Sequence, residues 1–222
     1  MSTVLITGAN RGIGLALATQ FAARGDSVIA VCRKSSDALD KLGVRVEAGV
    51  EVTDAAALAD LVRRLEGTEL DVLVNNAGVL RRDAFETLED ALDDCRLQFE
   101  VNALAPLRVT RALLDRLAAS SKVAIVTSRM GSIADNDSGG YWGYRMSKAA
   151  VNIGGVSLAH ELKARGIAVA LLHPGYVRTD MTGHTGDVET SESAAGLIAR
   201  IDALSLETSG GFWHANGEKL EW

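Results

Sequence analysis

Val4-Leu5-Ile6-Thr7-Gly8-Ala9-Asn10-Arg11-Gly12-Ile13-Gly14 is an apolar run that breaks into three glycines, and Leu15, Leu17, Ala18, Phe21 and Ala22 follow at helical spacing. The order reads strand, tight turn, helix. Glycine is 22 of 222 residues, so three glycines at set positions arise by chance roughly 0.2 times in such a chain, and placement gives the pattern its meaning. Between a strand and a helix, glycine lets backbone approach a pyrophosphate, and the helix N-terminus supplies N–H groups and a positive dipole. Gly8, Asn10, Arg11, Gly12, Ile13 and Gly14 are therefore candidate dinucleotide contacts. A plain strand-to-helix turn would use the same residues.

Working outward, Ser27-Val28-Ile29-Ala30-Val31 is a second strand ending at Cys32-Arg33-Lys34, with no acid before Asp37. An acid near this point holds the ribose 2′-hydroxyl of NAD, whereas arginine accommodates the 2′-phosphate of NADP. Arg11 and Arg33 suit a phosphate dianion, so the reading favours NADP(H). Both arginines would otherwise be ordinary solvated charges. Val44-Arg45-Val46-Glu47 alternates as a third strand. Glu51-Val52-Thr53-Asp54 leads into a helix with Leu58, Leu61, Val62 and Leu65, capped by Thr53 or Asp54. Asp71-Val72-Leu73-Val74 is a fourth strand, running into Asn75-Asn76-Ala77-Gly78. Alternating strands and helices imply a single Rossmann-type α/β domain over residues 1–222: a doubly wound, mainly parallel seven-stranded sheet. Ligands bind such sheets beyond the strand C-termini, where the strand order reverses. The glycine turn and Asn76-Ala77-Gly78 both fall there; Asn75 and Asn76 can also hold loop backbone.

A long helical stretch from about Leu88 to Leu117 contains Asn102-Ala103-Leu104-Ala105-Pro106. Proline has no N–H, so the Asn102 carbonyl loses its helical partner and is free to bind water. Val123–Ser128 is a fifth strand, placing Ser128 on the same rim as the glycine turn. A glycine-rich loop from Arg129 to Gly143 precedes a helix with the pair Gly154-Gly155, which suggests close approach to the sheet or to another subunit. Ile167–Leu172 is a sixth strand, ending at His173-Pro174-Gly175. A polar loop runs to about Thr190, a helix carries Ala194, Leu197, Ile198 and Ile201, and Gly211–His214 forms a last edge strand.

Tyr144 and Lys148 stand four apart on the helix after the loop and share one face. A free tyrosine has a pKa of about 10, and a neighbouring ammonium lowers it. The pair then works as a tuned proton donor and acceptor. Tyr-x-x-x-Lys alone is common on solvated helices. Tyr141 has Arg145 at the matching distance, and arginine cannot deprotonate to act as a relay.

A net charge of −6 and a pI near 5.3 argue against nucleic acid as main partner. No apolar run approaches the roughly 20 residues that span a bilayer. The first residues lack a signal-peptide pattern, and isolated Cys32 and Cys95 fit neither disulfide nor metal spacing. A cytoplasmic location is expected, with no membrane and no nucleic-acid partner. No metal site is expected either: Ala164 stands where a zincin-like pattern from His160-Glu161 needs its second histidine, and His173 and His184 lack ligand spacing.

Taken together, Thr7-Gly8-x-x-x-Gly12-x-Gly14, Asn75-Asn76-Ala77-Gly78, Asn102, Ser128, Tyr144-x-x-x-Lys148 and His173-Pro174-Gly175 resemble the short-chain dehydrogenase/reductase family along essentially the whole chain. The short length, Ser128-Arg129-Met130-Gly131-Ser132-Ile133 and the Gly-Glu-Lys-Leu-Glu-Trp ending look closest to its C-factor-like branch, which includes carbonyl reductases. The resemblance implies an NADP(H)-dependent reductase of a small-molecule aldehyde or ketone. Tyr144 would protonate the carbonyl oxygen, Lys148 would lower its pKa and hold the nicotinamide ribose, Ser128 would bond the substrate oxygen, and Asn102 would fix a relay water. The implied cofactor contacts extend to Val52, Pro174, Gly175, Val177 and Thr179, and to Glu51, which stands where the family usually has Asp. Substrate-facing candidates are Met130, Tyr141, Trp142, Tyr176, Met181 and His184, on a short polar loop system that implies an open site with loose selectivity. Family members commonly pair through the helices carrying Asn102 and Tyr144, so a homodimer or homotetramer is expected. Two rivals are a 3-oxoacyl-carrier-protein reductase and an NADP-binding signalling protein without turnover.

Overall fold

The computed structural model describes residues 1–222. Seven strands run in the order β3-β2-β1-β4-β5-β6-β7, and every neighbouring pair is parallel. They are β1 (Thr3–Thr7), β2 (Ser27–Val31), β3 (Arg45–Glu47), β4 (Leu70–Asn75), β5 (Leu117–Val126), β6 (Ala168–His173) and β7 (Gly211–His214). The helices are α1 (Gly12–Ala23), the short α2 (Asp37–Asp40), α3 (Ala55–Arg64), α4 (Leu88–Phe99), α5 (Ala105–Ala112), α6 (Trp142–Leu162) and α7 (Thr190–Ala203). The strand order reverses between β1 and β4, which opens the crevice that holds ligands in such sheets.

Side chains along a strand point alternately to opposite faces, and this divides the core in two. Val4 and Ile6 of β1 pack with Leu17, Ala18 and Phe21 of α1 and with Ala194, Leu197 and Ile201 of α7. Leu5, between them, joins Leu58 and Leu61 of α3, Val109 of α5 and Val151 of α6 on the other face. Strands buried on both faces read as continuous apolar runs, as β1, β2 and β6 do. The α3 helix is capped by Asp54, whose carboxylate accepts from the Ala56 N–H at 2.8 Å.

The stretch from Leu88 to Leu117 is not one helix. It divides into α4, a π-helical turn at Glu100–Leu104, α5, a 3₁₀ turn at Leu114–Arg116, and then β5. A π turn holds one extra residue per turn, and the Ala105 N–H accordingly reaches back to the Glu100 carbonyl. Pro106 sits in the first turn of α5, where its missing N–H costs least. Leu117 is strand because it pairs with Leu70 of β4; the register then shifts, and Ser120 takes a left-handed φ of 74°. The fifth strand thus starts six residues earlier than the apolar run Val123–Val126 suggests and ends before Thr127 and Ser128.

The two mid-helix glycines face different neighbours. A Cβ on Gly155 would lie 2.8 Å from Cδ2 of Leu171 on β6, and one on Gly154 would lie 3.3 Å from Cδ1 of Leu107 on α5. Gly155 therefore lets α6 sit directly on the sheet.

Candidate active site

At the C-terminal rim of the sheet lies a cleft of about 1150 Å³. The β1–α1 turn forms one wall. Gly8 and Gly12 hold positive φ of 67° and 54°, and a Cβ on Gly14 would stand 2.2 Å from the Gly8 carbonyl oxygen. Only glycine allows this close crossing. No side chain caps α1, whose N-cap residue is Arg11 in extended conformation, so its first N–H groups face the cleft. These groups fit a pyrophosphate.

Asn76 braces the turn: its Nδ2 donates to the carbonyls of Thr7 at 3.0 Å and Gly8 at 3.2 Å. Thr7 answers with its hydroxyl, which accepts from the N–H groups of Asn76 and Ala77 at 3.0 and 3.1 Å. Asn75 donates to the Thr110 hydroxyl at 3.0 Å. Asn76 thus holds the loop together, and Asn75 ties the end of β4 to α5.

The part of the cleft lined by Arg11 and Arg33 carries charge. Arg33 lies 3.4 Å from Glu51, and Arg11 lies 3.1 Å from Asp180, which begins a 3₁₀ turn within the β6–α7 loop. Both guanidinium groups are exposed, so these pairs are weak and exchangeable for another anion. Sequence reasoning missed the pairing with Asp180 because 169 residues separate it from Arg11.

At the other end, α6 brings Tyr144 and Lys148 together, the Lys148 ammonium lying 5.7 Å from the centre of the Tyr144 ring. Tyr144 is 9% exposed and Lys148 5%. Lys148 Nζ donates to the Val126 carbonyl at 3.0 Å. Burial disfavours the charged form of each: it pushes the Tyr144 phenol up to about 12, against an opposite pull from the Ser128 hydroxyl, and the Lys148 ammonium down to about 8. A neighbouring ammonium would lower the tyrosine pKa; burial moves it the other way. Ser128, also buried, begins a 3₁₀ turn and accepts from the Met130 N–H at 3.1 Å.

Asn102 sits in the π turn, fully buried. Its side chain grips Val79 in both directions, accepting from the N–H and donating to the carbonyl at 2.8 Å each, and donates to the Ser147 hydroxyl at 3.0 Å. A Cβ on Gly78 would lie 3.2 Å from Asn102 Oδ1 and 3.9 Å from Lys148 Nζ, so cofactor loop, π turn and lysine converge.

Most of the sequence-derived cofactor residues line the cleft: Gly8, Asn10 to Gly14, Arg33, Glu51, Val52, Asn76 to Gly78, Tyr144, Lys148, Pro174 and Thr179. Gly175 and Val177 do not. Gly175 turns with φ of 90° beside His214, and Val177 is buried in a bridge to Val188. Of the substrate candidates, Met181 and His184 line the cleft. Met130, Tyr141, Trp142 and Tyr176 do not. Tyr141 is the left-handed N-cap of α6, Trp142 is its first residue and stacks obliquely on Phe85, and Tyr176 is bonded to Thr185. Val79, Arg81, Leu97, Val101 and Thr127 line the cleft without a sequence signal, because they arrive on loops and on the α4–π-turn face. His173 ends β6, with its ring 4.9 Å from that of His214; burial, helped by nearby cations, drops its pKa to about 3. No grouping of His, Cys, Asp or Glu suits a metal ion, and no helix is long and apolar enough to cross a membrane.

Residues 2–190 match the family model for short chain dehydrogenases. The chain is 43% identical, over its full length and that of the relative, to 1-hydroxy-2-glutathionyl-2-methyl-3-butene dehydrogenase of Rhodococcus sp. (strain AD45). It is 32% identical over 91% of its length to the 3-oxoacyl-[acyl-carrier-protein] reductase of Escherichia coli (strain K12), covering 82% of that protein. Among solved structures, the NADPH-bound carbonyl reductase from chicken fatty liver superposes with a TM-score of 0.89 at 32% identity, covering 100% of this chain and 99% of the other. A Burkholderia multivorans short-chain dehydrogenase/reductase with bound NADP gives 0.91 at 31%, with the same coverage.

Proposed function

Since the chain belongs to the short-chain dehydrogenase family and is thereby an oxidoreductase using a nicotinamide cofactor, we propose that it reduces an aldehyde or ketone with NADPH. The observation that carries this is the buried Tyr144–Lys148 pair, which lines the same cleft as the uncapped turn of α1. A bound nicotinamide supplies the hydride. The chain's own residues do the rest. The Tyr144 hydroxyl donates the proton to the carbonyl oxygen. Burial keeps that hydroxyl protonated at neutral pH, so donation depends on stabilising the phenolate as it forms. Lys148, lowered to about 8, exchanges a proton near neutrality and stabilises the phenolate as it forms. Ser128 bonds the substrate oxygen. The Asn102 carbonyl, whose α-helical donor position is taken by Pro106, holds a water between Lys148 and solvent. Arg11 and Arg33 exchange Asp180 and Glu51 for the 2′-phosphate.

Run backwards, the same residues oxidise an alcohol. The full-length likeness to a dehydrogenase of a glutathionyl alcohol favours including such alcohols as substrates. A carrier-protein substrate would need a basic docking surface, and the net charge of −6 gives it no general help. The test is NADPH oxidation over aldehydes and ketones and NADP⁺ reduction over alcohols, glutathione conjugates among them, with NADH in parallel. Turnover with NADPH supports the reading. Turnover with NADH alone removes the phosphate role of the two arginines.

A further inference from the structure

The first turn of α6 ends in unpaired N–H groups that no residue of its own capping position satisfies: Tyr141 is left-handed, and its side chain makes no cap. The partner comes from 60 residues away. Asp83 accepts from the Trp142 N–H through Oδ1 and from the Gly143 N–H at 2.9 Å through Oδ2. The next residue is Tyr144.

The segment that carries Asp83 is itself fixed. It leaves the cofactor loop at Gly78 and is gripped at Val79 by Asn102. Its Arg81 N–H donates to Oε1 of the fully buried Gln98 on α4 at 2.8 Å. Asp83 also faces the Cys95 thiol of α4, with sulfur 3.7 Å from Oδ2. Gly143 has no room for a side chain, since a Cβ would stand 2.6 Å from Gln98 Nε2 and 2.8 Å from Cys95 Sγ. The start of α6 therefore lies flush against α4, with one carboxylate closing the gap between the cofactor loop, α4 and α6.

We propose that Asp83 is a positioning residue for catalysis: by holding the first turn of α6 to the loop after Gly78, it sets where the Tyr144 hydroxyl meets the substrate oxygen. This rests on the reading of Tyr144 as proton donor. A carboxylate at a helix N-terminus also suits the dipole, but a cap that served only stability would leave turnover by the folded enzyme unchanged. A displacement of about 1 Å at a reacting group costs up to about a hundredfold in rate.

The test compares Asp83→Asn, Asp83→Ser and Tyr144→Phe with wild type. NADPH titration gives the dissociation constant and the number of competent sites, turnover is expressed per site, and hydrogen exchange follows the amides of residues 142–144. The expected result for Asp83→Asn is NADPH affinity within about twofold, turnover per site down about tenfold, and faster exchange at Trp142 and Gly143. The serine variant, which keeps a short acceptor, should behave alike if asparagine folds poorly. Turnover per site within about twofold of wild type in the folded variants would overturn the proposal, as would a loss of NADPH affinity equal to the loss of turnover. Tyr144→Phe separates the two ideas. If it retains activity, the proton-donor reading fails first; if it is dead while Asp83→Asn is normal, only the positioning role fails.

Discussion

Lys148 releases its proton more readily than an exposed lysine, its pKa falling from 10.5 to about 8 because burial disfavours the ammonium. Between those values the unfolded chain binds more protons than the folded one, so Lys148 makes stability rise with pH from about 8 to 10.5, and its full cost falls below pH 8. Tyr144 works the other way: its folded pKa of about 12 lies above the ordinary 10, so it lowers stability as pH rises above 10. Lys148→Met should therefore raise the melting temperature at pH 7, with the advantage shrinking by pH 9.5; thermal unfolding at both pH values checks this. An equal shift at both would mean that the gain comes from packing and not from charge. At the cofactor end, Arg11→Ala and Arg33→Ala should each weaken NADPH binding about tenfold and leave NADH nearly unchanged, as titration of both cofactors would show. At this scale the type and spacing of Tyr144, Lys148, Ser128 and Asn102 single them out as candidates, and the structure sets Tyr144 and Lys148 in the cleft wall. The environment was not. Spacing says nothing of desolvation, and that decides the direction in which the Tyr144 pKa moves.

Among the elements, α6 carries the tightest constraint. Gly155→Ala would drive a methyl group into Leu171 on the sheet; overpacking of this kind costs about 1–3 kcal/mol. Gly154→Ala meets only the flexible end of Leu107, and the gain in helix propensity of about 1 kcal/mol offsets that contact. Urea unfolding of the two variants should separate them clearly, and equal destabilisation would contradict the packing described. The strands and most helices could be read from apolar periodicity, because β1, β4 and β6 are buried runs and α3 and α7 are amphipathic. The break at Glu100–Leu104 was only half legible. Pro106 marks a disturbance near Asn102, but proline alone does not say whether the helix kinks, ends or widens into a π turn, nor that Asn102 there grips Val79 of a distant segment. The early start of β5 likewise depends on Leu117 pairing with Leu70. The part of the cleft lined by Val79, Arg81 and Leu97 is the least legible, since they reach it only through the way loop and α4 pack together.

At the scale of the whole molecule, α4 and α6 leave Phe99, Met146 and Ile153 exposed although all three are apolar. Such side chains on the helices flanking the site suit self-association. Sedimentation velocity should show a dimer or tetramer for wild type and a lighter species for Ile153→Glu; a wild-type monomer at micromolar concentration would contradict this. The molecule's architecture follows from alternating strands and helices, and the cleft from the reversal between β1 and β4. The proposed reaction requires that this cleft bring hydride and proton to one carbonyl. The most direct test is NADPH oxidation by wild type and Tyr144→Phe over a panel of aldehydes and ketones, with NADPH binding measured on both. The expected result is turnover by wild type, loss of at least about a thousandfold in the variant, and unchanged binding. Turnover by the variant within about tenfold of wild type would contradict the central claim that Tyr144 supplies the proton.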